Sequence, residues 1–317
     1  RRSSDLPAFG TLADDVTLQQ KDMTLVLELA RKMGVPAPRY CPACRMQRRL
    51  MFRNERVLYK RSCGLCGKDM ISSYSPDKPF VVYCHECWFS DSWDPMKYGK
   101  DYDFSRPFFP QFKELLQAVP RMHLYNRNST NSQYGNGVVN SKNVYLAYST
   151  LFSEDVSYSK NIDRSFQIID CLNLRDSQSC YENIFGDHNY NSSYLQDSYN
   201  CIDSRFLYDC SGVKNCFMSA NLRGSEHVFR NRKVSKEEYD RSIGEINFSD
   251  AETHIRLMKE FDELRQATVH KYAQIIRSVN STGNYLENVK NSRYVFDGYD
   301  LENVKYAYRL LATKEAM

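Results

Sequence analysis

The chain has 317 residues with 43 Lys and Arg against 39 Asp and Glu, so it can bury a large core and is only mildly basic, at a net charge of +4. No apolar run approaches the roughly 18 residues that a membrane-spanning helix needs, which excludes one. The 11 cysteines of so long a chain do not read as the disulfide framework of a small secreted domain.

The opening Arg1-Arg2-Ser3-Ser4-Asp5 carries neither Met nor an apolar run and reads as the start of a trimmed or partial chain. Residues 15–33 have the pattern of one amphipathic helix, stopped by Gly34 with Pro36 and Pro38 behind it, so 1–38 is expected to be a helix and a linker.

A metal-binding module is expected over 39–100. Cys41/Cys44, Cys63/Cys66 and Cys84/Cys87 form three Cys-x-x-Cys pairs, a turn that sets two sulfurs on one side of a knuckle. Zinc needs two such knuckles to complete a tetrahedron. Seventeen residues separate Cys66 from Cys84 and 18 separate Cys44 from Cys63, so either pairing fits a ribbon, and a structural Zn2+ ion is expected in at least one of them. The pair left over has a partner only if a His such as His123 or another chain supplies it. Four thiolates leave no open coordination position for water, which speaks against catalysis by the metal. His85 lies inside a knuckle and reads as an outward polar residue. Thiolate ligands and unpaired cysteines favour a reducing compartment, so the expected location is the cytoplasm.

Between the first two knuckles the chain is basic and aromatic. Arg45, Arg48, Arg49, Arg53, Arg56, Lys60 and Arg61 stand among Phe52 and Tyr59. Cations for phosphates and rings for bases are what a nucleic-acid binder uses. The competing reading is that these arginines neutralise the thiolates of the metal site or lie on a solvated face.

Residues 101–140 read as a connecting segment with a short helix near 110–119, closed by Pro120. From Ser141 to 234 the chain divides into hexads. The fourth place is Val, Ile, Leu or Cys in 11 of 16, and the third is Asn or Asp in 10, a repeat that points to stacked strands. With three hexads to a coil, a β-solenoid of about 18 residues per coil is expected. Its columns would be Lys142, Lys160, Gln178, Gln196, Lys214 and Arg232 on an exposed edge, and Tyr145, Asp163, Tyr181, Tyr199 and Phe217 as an aromatic row. Ile162, Ile168, Leu174, Cys180 and Cys216 should be buried, and the remaining cysteines, Cys171, Cys201 and Cys210, read as core filler. Ser235 with Glu238 three residues on is a capping box that opens a helical insertion over 235–278, with a break near 247–249. Repeat-like sequence resumes over 279–317. The fold class expected is therefore mixed: a small zinc-ribbon or treble-clef-like module, then a β-solenoid with a helical insertion.

The runs CPAC, RMQRRLMFRNERVLYKRSCGLCGK, YSPDKPF, VVYCHECW, SDSWDP and DYDFSRPFFPQFKELL, followed by Asn/Tyr/Cys hexads, resemble a family of uncharacterised zinc-ribbon and repeat proteins from candidate-phylum bacteria. The resemblance runs from about Cys41 to the C-terminus and implies a zinc module plus a repeat domain, with no established activity. Members are often richer in Cys through the repeat, where this chain has Ser, Val and Ile, and that argues against a metal-binding repeat.

Three function classes follow. The first is a zinc-dependent nucleic-acid-binding protein, for RNA or DNA, with the solenoid as a rigid extension. The second is a non-enzymatic scaffold that presents a face to a protein partner. The third is a carbohydrate-active or other solenoid enzyme, for which the residues offer no paired catalytic carboxylates, since Asp170, Asp187, Asp197, Asp203 and Asp209 read as turn residues of the repeat. No membrane contact is expected.

Overall fold

A computed structural model describes residues 57–316, which divide into two compact units, 57–272 and 273–316. The helix expected over 15–33, together with Cys41, Cys44, Arg45, Arg48, Arg49, Arg53 and Arg56, lies outside the described residues. What is described is mostly β, with a long sheet of 15 strands and four helices: α1 (His85–Trp88), α2 (Phe108–Ala118), α3 (Lys236–Gly244) and α4 (Ala251–Ala267).

The first unit opens on an antiparallel hairpin, Tyr59–Ser62 against Asp69–Ser72. The short strand Val82–Tyr83 then pairs in parallel with Arg121–Met122, tying the cysteine module to the start of the long sheet. The helix expected near 110–119 is α2, set off by Pro107 and followed by Val119 and Pro120.

From Asn126 onward the strands form two interleaved parallel ladders. In one, Lys142–Tyr145 pairs with Glu154–Ser157, then Phe166–Ile169 and Gln178–Tyr181. In the other, Tyr148–Leu151 pairs with Lys160–Asp163, Leu172–Arg175 and Ile184–Asp187. Each residue thus meets the one 12 positions later, as do the side chains that bond between rungs. The expected step of 18 residues is therefore overturned: a rung takes two hexads, not three. Lys160 stands on one ladder and Lys142 and Lys214 on the other, so they form no common edge. The row Tyr145, Asp163, Tyr181, Tyr199, Phe217 likewise alternates between ladders. A six-residue pattern recurs at every multiple of six, and the backbone pairing selects 12.

The hexad has a finer cause. Every third residue points inward and is buried, as in Val144, Ala147, Thr150, Ser153, Val156, Ser159, Ile162, Ser165 and Ile168. The residue before each is left-handed, with Asn143, Leu146, Ser149, Phe152 and Asp155 at φ of 55°, 47°, 56°, 48° and 57°. Four such turns fall in each step. Asn and Asp tolerate that conformation best, which accounts for their place in the hexad. Where Leu146, Phe152 or Tyr158 adopt it, strain on the order of 1 kcal/mol or more is imposed, and the surrounding ladder must hold them there.

The inward polar residues hold it. Ser141 Oγ accepts the amide N–H of Ser153 at 3.1 Å, Ser153 Oγ that of Ser165 at 3.0 Å, and Ser165 Oγ that of Ser177 at 3.1 Å. Each hydroxyl also donates to the carbonyl two residues earlier, 2.7 Å for Ser153 and 2.8 Å for Ser165. Buried backbone groups are thereby paired rather than orphaned. Cysteine fills the same role: Cys171 Sγ donates to the Ile169 carbonyl at 3.2 Å and accepts the Asn183 N–H at 3.4 Å. Cys171, Cys180, Cys201, Cys210 and Cys216 are all buried. Burial pushes the thiols up, Cys171 and Cys210 to about 12 and Cys180 to about 11. They are neutral core groups, as expected, and Ile162, Ile168 and Leu174 are buried beside them.

Helices α3 and α4 cover the last rungs, where Phe206, Phe217, Tyr239, Leu257 and Phe261 form one apolar cluster. Half of the expected capping box is formed: Ser235 Oγ accepts the Glu238 N–H at 3.1 Å, while the Glu238 carboxylate accepts from Arg232 at 3.2 Å. Asp250 caps α4 by accepting from Thr253 at 2.8 Å. The helix ends at Ala267 rather than near 277, because the following residues are taken up by the ladder. Asn221 Nδ2 donates to Thr268 Oγ1 and to the Val269 carbonyl, both at 3.0 Å. The Tyr208 hydroxyl meets His270 Nδ1 at 2.8 Å, and Lys271 pairs with buried Asp209 at 2.7 Å.

The second unit repeats the ladder. Gly283–Glu287, Arg293–Glu302 and Lys305–Lys314 pair in parallel around Leu286, Val289, Val295, Leu301 and Val304. Gly283 has φ of 144°, and a Cβ there would sit 1.6 Å from the Val295 carbonyl oxygen, so no side chain fits.

Candidate metal centre

The first knuckle sits in the turn of the hairpin. Cys63 donates its N–H to the Lys68 carbonyl at 2.8 Å, and Gly67, at φ of 75°, donates to the Cys63 carbonyl at 3.0 Å. The left-handed turn after Cys66 is what a glycine permits. The second knuckle is the entry to α1: Cys84 precedes it, Cys87 lies within it, and the Trp88 N–H returns to the Cys84 carbonyl at 2.9 Å. The two turns are fastened to each other by the Gly64 N–H on the Val82 carbonyl at 2.8 Å.

Four sulfurs converge as a result. The ligand atoms of Cys63, Cys66, Cys84 and Cys87 all lie within 4.8 Å of one another, and Cys66 Sγ is 3.9 Å from Cys84 Sγ. Thiolates bound tetrahedrally to zinc stand about 3.8 Å apart, given a Zn–S bond of about 2.3 Å. This donor set can hold a metal ion. Cys63 and Cys84 are buried, Cys87 half-buried and Cys66 exposed. Burial works to raise the Cys63 thiol, but amide hydrogen bonds from Cys66, Cys84 and Leu65 outweigh it and hold it down at about 6. The Leu65 and Cys84 N–H groups reach Cys63 Sγ at 3.4 and 3.3 Å. Burial raises Cys84.

Two tryptophans wall the cluster, a feature the cysteine spacing does not reveal. Tyr83, Trp88 and Trp93 pack on it, with ring centroids 5.4 Å apart for Tyr83–Trp93 and 4.9 Å for Trp88–Trp93. The Trp93 indole donates to the Trp88 carbonyl at 3.0 Å. His85 is exposed and lies on Phe89, centroids 4.8 Å apart. His123 is also outside the cluster; its Nδ1 lies 2.7 Å from the Ile71 carbonyl, and burial lowers its pKa.

Of the basic segment, Lys60 and Arg61 are described. Lys60 is exposed. Arg61 is turned inward to the loop beyond the hairpin, where it donates to the carbonyls of Tyr74, Ser75 and Phe80 at 3.5, 3.3 and 2.9 Å. Arg121 stacks on the Phe80 ring, 3.8 Å from its centroid. These two cations brace a loop.

A second group, Asp176, Asp187 and His188, also converges. Its charge is already met by Arg164 on Asp176 at 2.8 Å and by Arg175 on Asp187, and His188 Nδ1 lies 2.6 Å from Asp187 Oδ1. Among the described residues no helix is long and apolar enough to cross a membrane. No protein-family model matches the chain, and no curated protein matches it.

Proposed function

We propose that the chain is a zinc-binding scaffold protein, in which a zinc-ribbon or treble-clef-like module caps a β-solenoid of 12 residues per coil. The observation that carries this reading is the convergence of Cys63, Cys66, Cys84 and Cys87 within 4.8 Å. All four positions of a tetrahedral ion would be filled by sulfur, so the ion's task is structural, as a knot for a module with a small core. The ladder supports the scaffold half: rungs in register set side chains in straight rows on a stiff surface. Elemental analysis of the purified whole chain tests the metal, with about one zinc expected for this cluster and less than half an equivalent, or a different metal, sinking the reading.

Nucleic-acid binding by the segment from Arg45 to Arg61 is a second reading, favoured by Lys60, which is exposed one strand ahead of the first knuckle. Arg61 is withdrawn from it by its three carbonyl partners. The remaining cations would give RNA or DNA binding that falls steeply with salt. Salt-independent binding, or none at low ionic strength, would end it.

A further inference from the structure

On the first ladder, rungs near the start of the long sheet form an open groove of about 550 Å³, whose lining includes Asn131, Tyr134, Asn143, Tyr145, Asp155 and Gln167. We propose that this groove binds a neutral polysaccharide; the inference rests on the scaffold reading and names the ligand class of its surface.

Two features of different chemistry line the groove, a pair of tyrosines and a row of polar side chains. One is aromatic. Tyr134 and Tyr145 are 43% and 44% exposed, and the Tyr145 ring is held edge-to-face between Tyr134 and Tyr158, at 5.6 Å on each side. Rings fixed by their neighbours lose little freedom when a ligand stacks on them. The other is hydrogen-bonding. Asn131 donates to Asn143 at 3.0 Å, Asn143 to Asp155 at 2.8 Å, and Ser179 to the Gln167 side-chain carbonyl at 2.9 Å. Those bonds occupy one acceptor each on Asn143, Asp155 and Gln167, and the Gln167 NH2 group and the second Asp155 oxygen are the donor and the acceptor that these two lining residues carry besides them.

A pyranose ring has the matching form, an apolar C–H face for the tyrosines and a rim of hydroxyls for the amides and the carboxylate. Successive rungs lie about 4.8 Å apart, a spacing close to the length of one sugar unit; the polar row continues over them through Asn131, Asn143, Asp155 and Gln167, while Ser157 and Ile169 stand in register with Tyr145, so one sugar stacks on the tyrosines and its neighbours along a linear glycan meet the polar row. The lining carries no Lys or Arg, and its one charged group is the Asp155 carboxylate. Phosphate needs cations, so a nucleic acid is the poorer fit. An apolar peptide would prefer a lining without a row of amides.

The test uses the whole chain, loaded with metal, in affinity electrophoresis and calorimetry against soluble neutral polysaccharides: a β-1,4-glucan, a xylan and a mannan. At least one should bind, with an affinity unchanged by added salt. Tyr145→Ala should weaken it roughly tenfold or more, since stacking on a ring is lost. Tyr145→Phe should retain it. Tyr145 is a surface residue, so an unchanged melting curve separates lost binding from lost folding. Wild type binding none of the three, or Tyr145→Ala binding as wild type does, overturns the proposal. Capture of a protein partner that Tyr145→Ala abolishes, with no glycan bound, overturns it while leaving the scaffold reading in place.

Discussion

Around Cys63 the chain is held by four sulfurs drawn from two short turns, whereas from 126 to 229 it is held by a few contacts repeated once per rung. Among the described residues of the module, the buried cysteines Cys63 and Cys84 share a cluster with Tyr83 and little else that is fully buried. In the ladder, Val138, Val144, Val156, Ile162, Ile168 and Leu174 form one continuous core, flanked by the serine columns. With zinc bound, as proposed, the module would concentrate its stability in one centre, so that removing the metal should remove everything at once. The ladder distributes its stability, and each rung's failure is local and graded.

Metal removal should break that comparison most sharply. The chain has two tryptophans, Trp88 and Trp93, and both wall the cysteine cluster. Tryptophan fluorescence therefore reports the module alone, while far-UV circular dichroism is dominated by the ladder. Binding free energies of about 10–16 kcal/mol for structural zinc in small domains exceed what so few buried residues supply. A strong chelator, or Cys84→Ser, should shift the tryptophan emission to that of exposed indole with the β signal kept. Joint loss of both signals would mean that the ladder depends on the module and would end the distinction.

Within the ladder the effects should be smaller and separable. Ile162 is fully buried between rungs, and Ile162→Ala should cost about 2–4 kcal/mol in urea unfolding by leaving a cavity. Ser165→Ala removes few atoms but leaves the Ser177 N–H and the Asp163 carbonyl without their hydroxyl partner, a cost of about 1–3 kcal/mol. If Ser165→Ala were neutral, the serine column would be filler and not a fastening. Neither substitution should move the tryptophan signal at low urea.

Local chemistry was legible in the sequence, and long-range register was not. Cys63/Cys66 and Cys84/Cys87 announce a knuckle because the ligand pair is three residues apart, and Ser235 with Glu238 announces a cap for the same reason. Ile162, Ile168 and Leu174 were readable as core from the hexad alone. The step between rungs was not, because a six-residue pattern fits 12 and 18 equally. A signal for 12 was present in the runs Asn131, Asn143, Asp155 and Ser141, Ser153, Ser165, Ser177, which the structure bonds in series. Arg61 shows the other limit. Its charge suggested a phosphate partner, but three carbonyls of a loop more than ten residues away claim it. The end of α4 was missed likewise, since His270 and Lys271 leave the helix for partners at Tyr208 and Asp209.

The smallest expected effect sharpens the comparison furthest, because it applies one substitution to both regions. Cys171 already behaves as a serine, donating to the Ile169 carbonyl and accepting from Asn183. Cys171→Ser should therefore stay within about 1 kcal/mol of wild type near neutral pH, whereas Cys84→Ser dismantles the module. The pH dependence has a definite sign. Burial raises the Cys171 thiol from its ordinary 9.0 to about 12. Below pH of about 9 it is neutral folded or unfolded. As pH rises from about 9 toward 12 the unfolded chain gives up this proton and the folded chain keeps it, so stability falls, by up to about 1.4 kcal/mol per pH unit for the one group. Serine does not ionise in that range, so between about pH 9 and 12 the variant should lose less stability than wild type, while the two coincide at about pH 7.5. Urea midpoints at the two pH values measure this directly. A Cys171→Ser protein with altered metal content, or one that loses several kcal/mol at neutral pH, would show that the ladder cysteines do more than stand in for serine.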